Sequence, residues 1–345
     1  MTIYDLVTST NLSDYWETLM QGEDPYPCEE LFPDDKKRGI KLEWIVGASG
    51  LPVVLKTSAF DVAAIPRDRI GFEKLESHMP YFKESTYIDE EMRQELNMVL
   101  ETGNEVYIKT VLDRIFNDEM RLLKGARAAR ERMRMMALTT GVVAMAANGQ
   151  NFVFDYQLKH KATVDVSWSD REKSDPIEDI RQAKEEIEEE TGIKITRAMC
   201  DRKTWRNLRN NERIKKEIFV LTNGVGAIND NKLRDYIAEE LDGLRIFVND
   251  KMYADEKQVA HKFMPENTFV MFPDGPLGKT WFGTTPAESD LHAGNAANVT
   301  IVDTGVAITT HQIIDPVQVD TIVSMICLPS FEQANAVYII DTEAA

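Results

Sequence analysis

The five histidines, His78, His160, His261, His292 and His311, stand apart, none with a cysteine or second histidine at the spacing that a zinc ion requires. Cys28, Cys200 and Cys327 form no CxxC pair, which removes a zinc knuckle and a dithiol redox centre. A sparse, odd number of cysteines fits a reducing compartment such as the cytoplasm. The acids at Glu185–Glu190, EEIEEE, would fan around a helix surface and read as a solvated face rather than an acid/base pair. Asp165, Asp170 and Asp175 have the chemistry for a hard cation but lack the glycine turn of a calcium loop. The GVG at Gly224–Gly226 lacks the third glycine of a dinucleotide fingerprint. No HExxH, phosphate loop or GxSxG occurs. No catalytic, cofactor-binding or metal-binding residue is therefore assigned, and the chain reads as a non-enzyme.

One concentration of charge remains. The stretch LLKGARAARERMRMMAL, Leu122–Leu138, carries Lys124, Arg127, Arg130, Arg132 and Arg134 against a single acid, Glu131. The whole chain holds 58 Asp+Glu and 40 Lys+Arg, a formal net charge of −18. Such a balance repels nucleic acid in general, since phosphate binding rests on Lys and Arg. Lys124, Arg127, Arg130 and Arg134 recur at helical spacing beside an apolar stripe of Leu122, Ala126, Ala129, Met133 and Met136. The stripe fits a solvated or salt-bridged helix face better than a nucleic-acid site, and acids elsewhere in the chain are abundant enough to pair with it.

The surrounding elements follow from periodicity. A chain of 345 residues with 43% hydrophobic and 28% charged residues is long enough for one large or two ordinary domains. It contains no apolar run of membrane-spanning length, and the N-terminus carries no secretory pattern. Residues 1–38 read as weakly structured, an arm with apolar points at Tyr4, Tyr15, Trp16 and Phe32. Residues 39–87 read as extended chain without its own core. Residues 88–140 switch to helical period: a helix opening at Asp89, then a proline-free run of some 35 residues, spanning roughly 50 Å, with Gly141 as its stop. Residues 142–172 read as strands, with Asn148-Gly149 as a hairpin turn and Val164, Val166 and Trp168 alternating. Residues 175–240 are helix-rich, including one helix over DRKTWRNLRNNERIKKEIF, with buried strands at KITRAMC and LRIFVND; mostly strands follow to 345. The class is α+β.

Four passages, in their order and spacing, carry a resemblance: FPDDKKRGIKLEWIVGASG through FEKLESHMPYFKESTYI, KSDPIEDI, MPENTFVMFPDGPLGKTWFG, and IIDPVQVDTIVSMICLPSFEQANAVYIID. The chain resembles the major capsid proteins of tailed bacteriophages, of the lambda-type major capsid protein E family with the Hong Kong 97-like fold. The resemblance implies an N-terminal arm over 1–38, an E-loop over 39–87 with its tip near Ala59–Glu73, and a P-domain over 88–173 with a spine helix at 104–140. It further implies an A-domain over 174–300 and C-terminal strands over 301–345 that return toward the P-domain. The implied function is a self-assembling icosahedral shell of hexamers and pentamers that encloses double-stranded DNA without sequence-specific binding and involves no membrane. The assembly interface would draw on Trp16, Phe32, Phe60, Ile65, Arg67, Arg69, Phe72, Arg127, Arg130 and Arg134. Lys56 and Lys74 flank the E-loop tip, but nothing marks them as reactive, and non-covalent assembly is expected. The segment before the E-loop is too short for a fused scaffold, so a separate scaffolding protein, a portal, a packaging motor and a decoration protein are the implied partners. Non-icosahedral coat assembly and nucleic-acid binding by the 124–134 face are the alternatives.

Overall fold

Thr8 opens the first helix: its backbone is extended, its Oγ1 accepts from Asn11 N, and α1 runs over Ser9–Met20. A proline in the first turn, with Glu29 accepting from Tyr26 N, shapes a short α2 at Pro27–Leu31. The expectation of weak structure over 1–38 is therefore corrected. Prolines and charges obscured two helices whose apolar residues Leu12, Trp16 and Leu31 are buried. This computed structural model describes residues 7–46, 73–88, 90–102, 105–147, 150–219, 226, 228–291, 297–313 and 318–344.

Four strands follow, β1 at Asp34–Lys36, β2 at Lys41–Val46, β3 at Glu73–His78 and β4 at Tyr81–Ile88; β2 and β3 pair as a two-stranded sheet. Helix α3 spans Glu90–Thr102; the expected cap Asp89 lies outside the described residues. Helix α4, Glu105–Thr140, has 36 residues and runs through Gly125. At 1.5 Å per residue it is about 54 Å long. It stops at Gly141, where φ is +73° and an added Cβ would stand 2.7 Å from Leu158 Cγ, so conformation and packing both require glycine.

Beyond it, β5 (Val142–Ala147) and β6 (Gln150–Asp155) pair antiparallel, while the expected turn at Asn148-Gly149 lies outside the described residues. Strand β7 is only Lys161–Thr163. The alternation of Val164, Val166 and Trp168 does not extend it. Instead Val164 N and Trp168 N donate singly to the Asp341 and Thr342 carbonyls, and Trp168 Nε1 donates to Asp179. Asp175 caps α5, Pro176–Thr191, and β8 is Arg197–Cys200. The helix expected over DRKTWRNLRNNERIKKEIF is two, α6 (Arg202–Asn210) and α7 (Glu212–Ile218). Asn211 divides them, because its extended backbone ends one helix while its Oδ1 accepts from Arg213 N and Ile214 N to start the next. The remaining elements are α8 (Asp230–Glu240), β9 (Arg245–Val248), β10 (Met252–Ala254), β11 (Ala260–Lys262), β12 (Thr268–Phe272), β13 (Thr280–Phe282), β14 (Asn298–Val302), β15 (Val306–Ile313), β16 (Gln318–Pro329) and β17 (Tyr338–Asp341).

The chain divides into two units. One comprises Met1–Leu42, Glu76–Arg134 and Lys279–Ser330. Its sheet has the order β1-β13-β16-β15-β14, with β4 also on β16, and α1 packs on β14. The long strand β16 organises it: Val319–Ile326 pairs antiparallel with β4, and Cys327–Pro329 with β13. The other unit comprises Glu43–Leu75, Met135–Gly278 and Phe331–Ala345. Its mixed sheet, β7-β17-β12-β8-β9, carries a core that includes Trp168, Ile180, Ile187, Trp205, Leu208 and Phe269.

Candidate functional site

Arg127, Arg130 and Arg134 lie three and four residues apart, so α4 presents their guanidiniums along one side. All three pair with carboxylates of their own chain. Arg127 donates to Glu29 in a fork, Nε to Oε1 at 2.8 Å and Nη2 to Oε2 at 3.1 Å, and covers the Tyr26 ring at 4.9 Å. Arg130 Nη1 donates to Asp34 Oδ2 at 3.3 Å, and its Nη2 to Asp303 Oδ2 at 2.7 Å. Arg134 donates to Asp34 and, through Nε, to Thr280 Oγ1 at 2.8 Å, while the Thr280 hydroxyl donates to the Phe32 carbonyl at 2.9 Å. One turn earlier Lys124 reaches Glu23 at 3.1 Å.

Lys124 stays half-exposed, but from Arg127 onward the stripe is not a solvated face. The side chains of Arg130 and Arg134 are 4% and 2% exposed. The salt-bridged alternative holds for them, with partners inside the subunit. Two carboxylates join separate parts of the unit. Asp34, at the start of β1, binds both arginines. Asp303, in the β14–β15 turn, accepts from Arg130 and also from Trp16 Nε1 at 3.0 Å. That turn places Asp303 and Thr304 at φ +45° and +68°. Gly305 closes it because a Cβ there would stand 2.6 Å from Phe282. Ser9 and Thr300 hydroxyls at 2.8 Å fasten the other end of α1.

Burial and the arginines compete over these carboxyls, with opposite outcomes. Burial would raise Glu29, but the hydrogen bonds and charge of Arg127, aided by Tyr26 N–H, outweigh it and hold the carboxyl below its usual range. For Asp34 burial prevails over Arg134 and Arg130, and its pKa is raised. Glu131, on the same helix and fully buried, is pushed up to about 7 by burial against the pull of Arg134. Its Oε1 accepts from Cys28 N at 3.2 Å. Burial, with Glu131 close by, raises the Cys28 thiol well above its ordinary value, so it is no nucleophile. Among the described residues, no group of three or more His, Cys, Asp or Glu is arranged to hold a metal.

Of the residues expected at an interface, the structure brings Trp16, Phe32, Arg127, Arg130 and Arg134 together, and Trp16 and Phe32 are buried within a single copy. Tyr15 packs on Phe116 at 5.4 Å and donates to Asn117. Tyr4, Lys56, Phe60, Ile65, Arg67, Arg69 and Phe72 lie outside the described residues. Glu29, Asp34, Thr280 and Asp303 are the partners that sequence reasoning missed; Glu29, three residues after Tyr26 and just inside Pro27, was the nearest to a signal.

The sequence profile of a family described as phage major capsid protein E matches residues 45–342. Among solved structures, the chain is similar to a putative capsid protein of a prophage of E. coli CFT073, with 14% identity, TM-score 0.59, and 97% of this chain and 99% of that chain covered. It is likewise similar to a phage-related protein of Bordetella bronchiseptica RB50, with 14% identity, TM-score 0.56 and 98% of both chains covered. A third is the capsid of cyanophage A-1(L), at 9% identity, TM-score 0.53 and 91% of both chains. Among curated proteins no relative matches.

Proposed function

The chain belongs to the phage major capsid protein E family and is a structural, non-enzymatic protein of the phage head shell with the α+β, Hong Kong 97-like fold, and we propose that it assembles with copies of itself through the segment between β2 and β3. The supporting observation is the pairing of β2 with β3, which brings the two ends of residues 47–72 side by side. Lys41 Nζ and Glu76 Oε2, 3.0 Å apart, reinforce that base. The span supplies Phe60, Ile65, Arg67, Arg69 and Phe72 as contacts for a neighbouring copy.

In this reading 1–38 is the N-terminal arm, 39–87 the E-loop, 88–173 the P-domain around α4, 174–300 the A-domain and 301–345 the returning strands. The arm's helices are fastened to their own α4. Shells of hexamers and pentamers then form in the host cytoplasm and enclose double-stranded DNA, with a separate scaffolding protein, a portal, a packaging motor and a decoration protein as partners. Nucleic-acid binding through 124–134 is the weaker reading, because Arg127, Arg130 and Arg134 already neutralise carboxylates of the chain. The test replaces residues 49–70 with a short Gly-Ser linker. A folded subunit that forms no closed shells in negative stain is expected; normal shells would refute the assignment.

A further inference from the structure

Glu119 stands on α4 where that helix meets β16. It is 3% exposed, and the buried Thr321 hydroxyl of β16 is the one neighbouring group that favours its charged form. Asp118 of α4 and Asp320 of β16 oppose that charge. Asp320 is tied to β15 by His311, Nε2 to Oδ2 at 3.8 Å, while Gln318 Nε2 donates to its Oδ1 at 3.0 Å. Glu119 also lines a cavity of about 430 Å³, whose other walls are residues 85–88 of β4, Met92 of α3, and Ile115 and Leu122 of α4. The β4 wall brings the hydroxyls of Ser85, Thr86 and Tyr87 but no charge. Arg121, also in the lining, is 81% exposed and engaged by Asp118 at 3.4 Å.

Glu29, Asp34 and Asp303 each meet an arginine of α4, whereas no cation is among the groups that act on Glu119. Ionising Glu119 therefore puts an uncompensated charge into a buried contact, which is costly unless water reaches it. The cavity has room for that water, being far larger than the roughly 30 Å³ that one molecule occupies in the liquid. A neutral Glu119 carries an O–H that can donate to Thr321 Oγ1, and that oxygen has no other hydrogen-bond partner among the described residues.

We propose that the contact of Glu119 with β16 is a proton-operated latch. With Glu119 neutral, its carboxyl and Thr321 hold residues 111–122 of α4 against β16 and β4. With the proton released to solvent, water fills the cavity and that part of α4 lifts from the sheet. The latch lies within one subunit, needs no second copy, and is separate from the arginine network and from residues 47–72.

Burial lifts Glu119 to about 7, against the ordinary 4.5 that it regains where the contact opens. The closed form thus holds its proton more tightly. Its advantage is fully present below about pH 4.5 and is lost as pH rises to about 7, so the open population grows about tenfold from pH 6 to pH 8. The test follows amide exchange of the full-length, unassembled chain from pH 5.5 to 8.5, corrected for the intrinsic pH dependence of exchange. Protection of Tyr81–Ile88 and of residues 111–122 should fall about tenfold between pH 6 and pH 8, more than that of α5, Pro176–Thr191, in the other unit. Glu119→Gln, which stays neutral, should remove this fall, and Glu131→Gln should leave it in place. Thr321→Val removes the hydroxyl that favours the charge and should move the midpoint to higher pH. A flat wild-type profile would overturn the latch with no variant needed. So would an equal fall in Glu119→Gln, or a midpoint that Thr321→Val leaves unmoved or lowers.

Discussion

Replacing Arg130 with methionine keeps an unbranched apolar stem and removes the guanidinium from between Asp34 and Asp303. Losing one partner of a buried ion pair costs about 3–5 kcal/mol. Here the two carboxylates are 26% and 28% exposed, and each retains another donor, Arg134 for Asp34 and Trp16 for Asp303. The expected cost is therefore about 2–3 kcal/mol, below the fully buried case. It should appear locally, because Asp303 ties α1 and Asp34 ties β1 to helix α4. Amide exchange of Ser9–Met20 and Asp34–Lys36 should accelerate about 30- to 140-fold, the factor equivalent to that cost. Adding Asp303→Asn should recover part of the loss, since asparagine tolerates the positive φ at 303 and leaves no stranded charge. Exchange changed less than twofold in Arg130→Met would refute the claim that this network fastens the N-terminal helices.

Three further outcomes follow from particular side chains. Glu131 has a folded pKa near 7 against an ordinary 4.5, so the folded state holds its proton more tightly, and stability on its account is fully present below about pH 4.5 and is lost as pH rises to about 7. A pH series of urea midpoints should show a decline that is steeper in the wild type than in Glu131→Gln, by on the order of 3 kcal/mol at most, since Glu119, also raised to about 7, keeps a decline of its own in the variant; parallel profiles would contradict it. Gly305→Ala pushes a methyl into Phe282 and should cost about 1–3 kcal/mol, seen as a lower urea midpoint; an unchanged midpoint would contradict the close packing of that turn. Arg127→Lys keeps charge but loses the fork on Glu29 and the stacking on Tyr26, so proteolysis should cut near 22–26 several-fold faster than in the wild type, and equal cutting would count against the fork.

Helix α4 was legible because its apolar residues repeat at the helical period without a proline, and Gly141 marks its end in the sequence as in the fold. The fate of its arginines was not. Asp34 lies 96 residues before Arg130 and Asp303 lies 173 residues after it, and a pattern of polarity along one helix does not reveal what folds onto it. The same limit explains the N-terminal segment: prolines and charges at 22–38 resemble unstructured chain until Glu29 and Asp34 meet their arginines. Local rules failed where a tertiary bond replaced a repeating one. Asn211 breaks an apparently continuous helix through its own side chain, and Val164–Trp168 alternates like a strand while its backbone is held by single bonds to the C-terminal residues.

Electron cryo-microscopy of particles assembled from the full-length chain tests the central claim most directly. The expected result is closed shells in which Arg127, Arg130 and Arg134 of every copy lie against Glu29, Asp34 and Asp303 of that same copy, while residues 47–72 contact a neighbour. Open filaments, or shells in which those arginines reach nucleic acid or another subunit while residues 47–72 touch none, would contradict it.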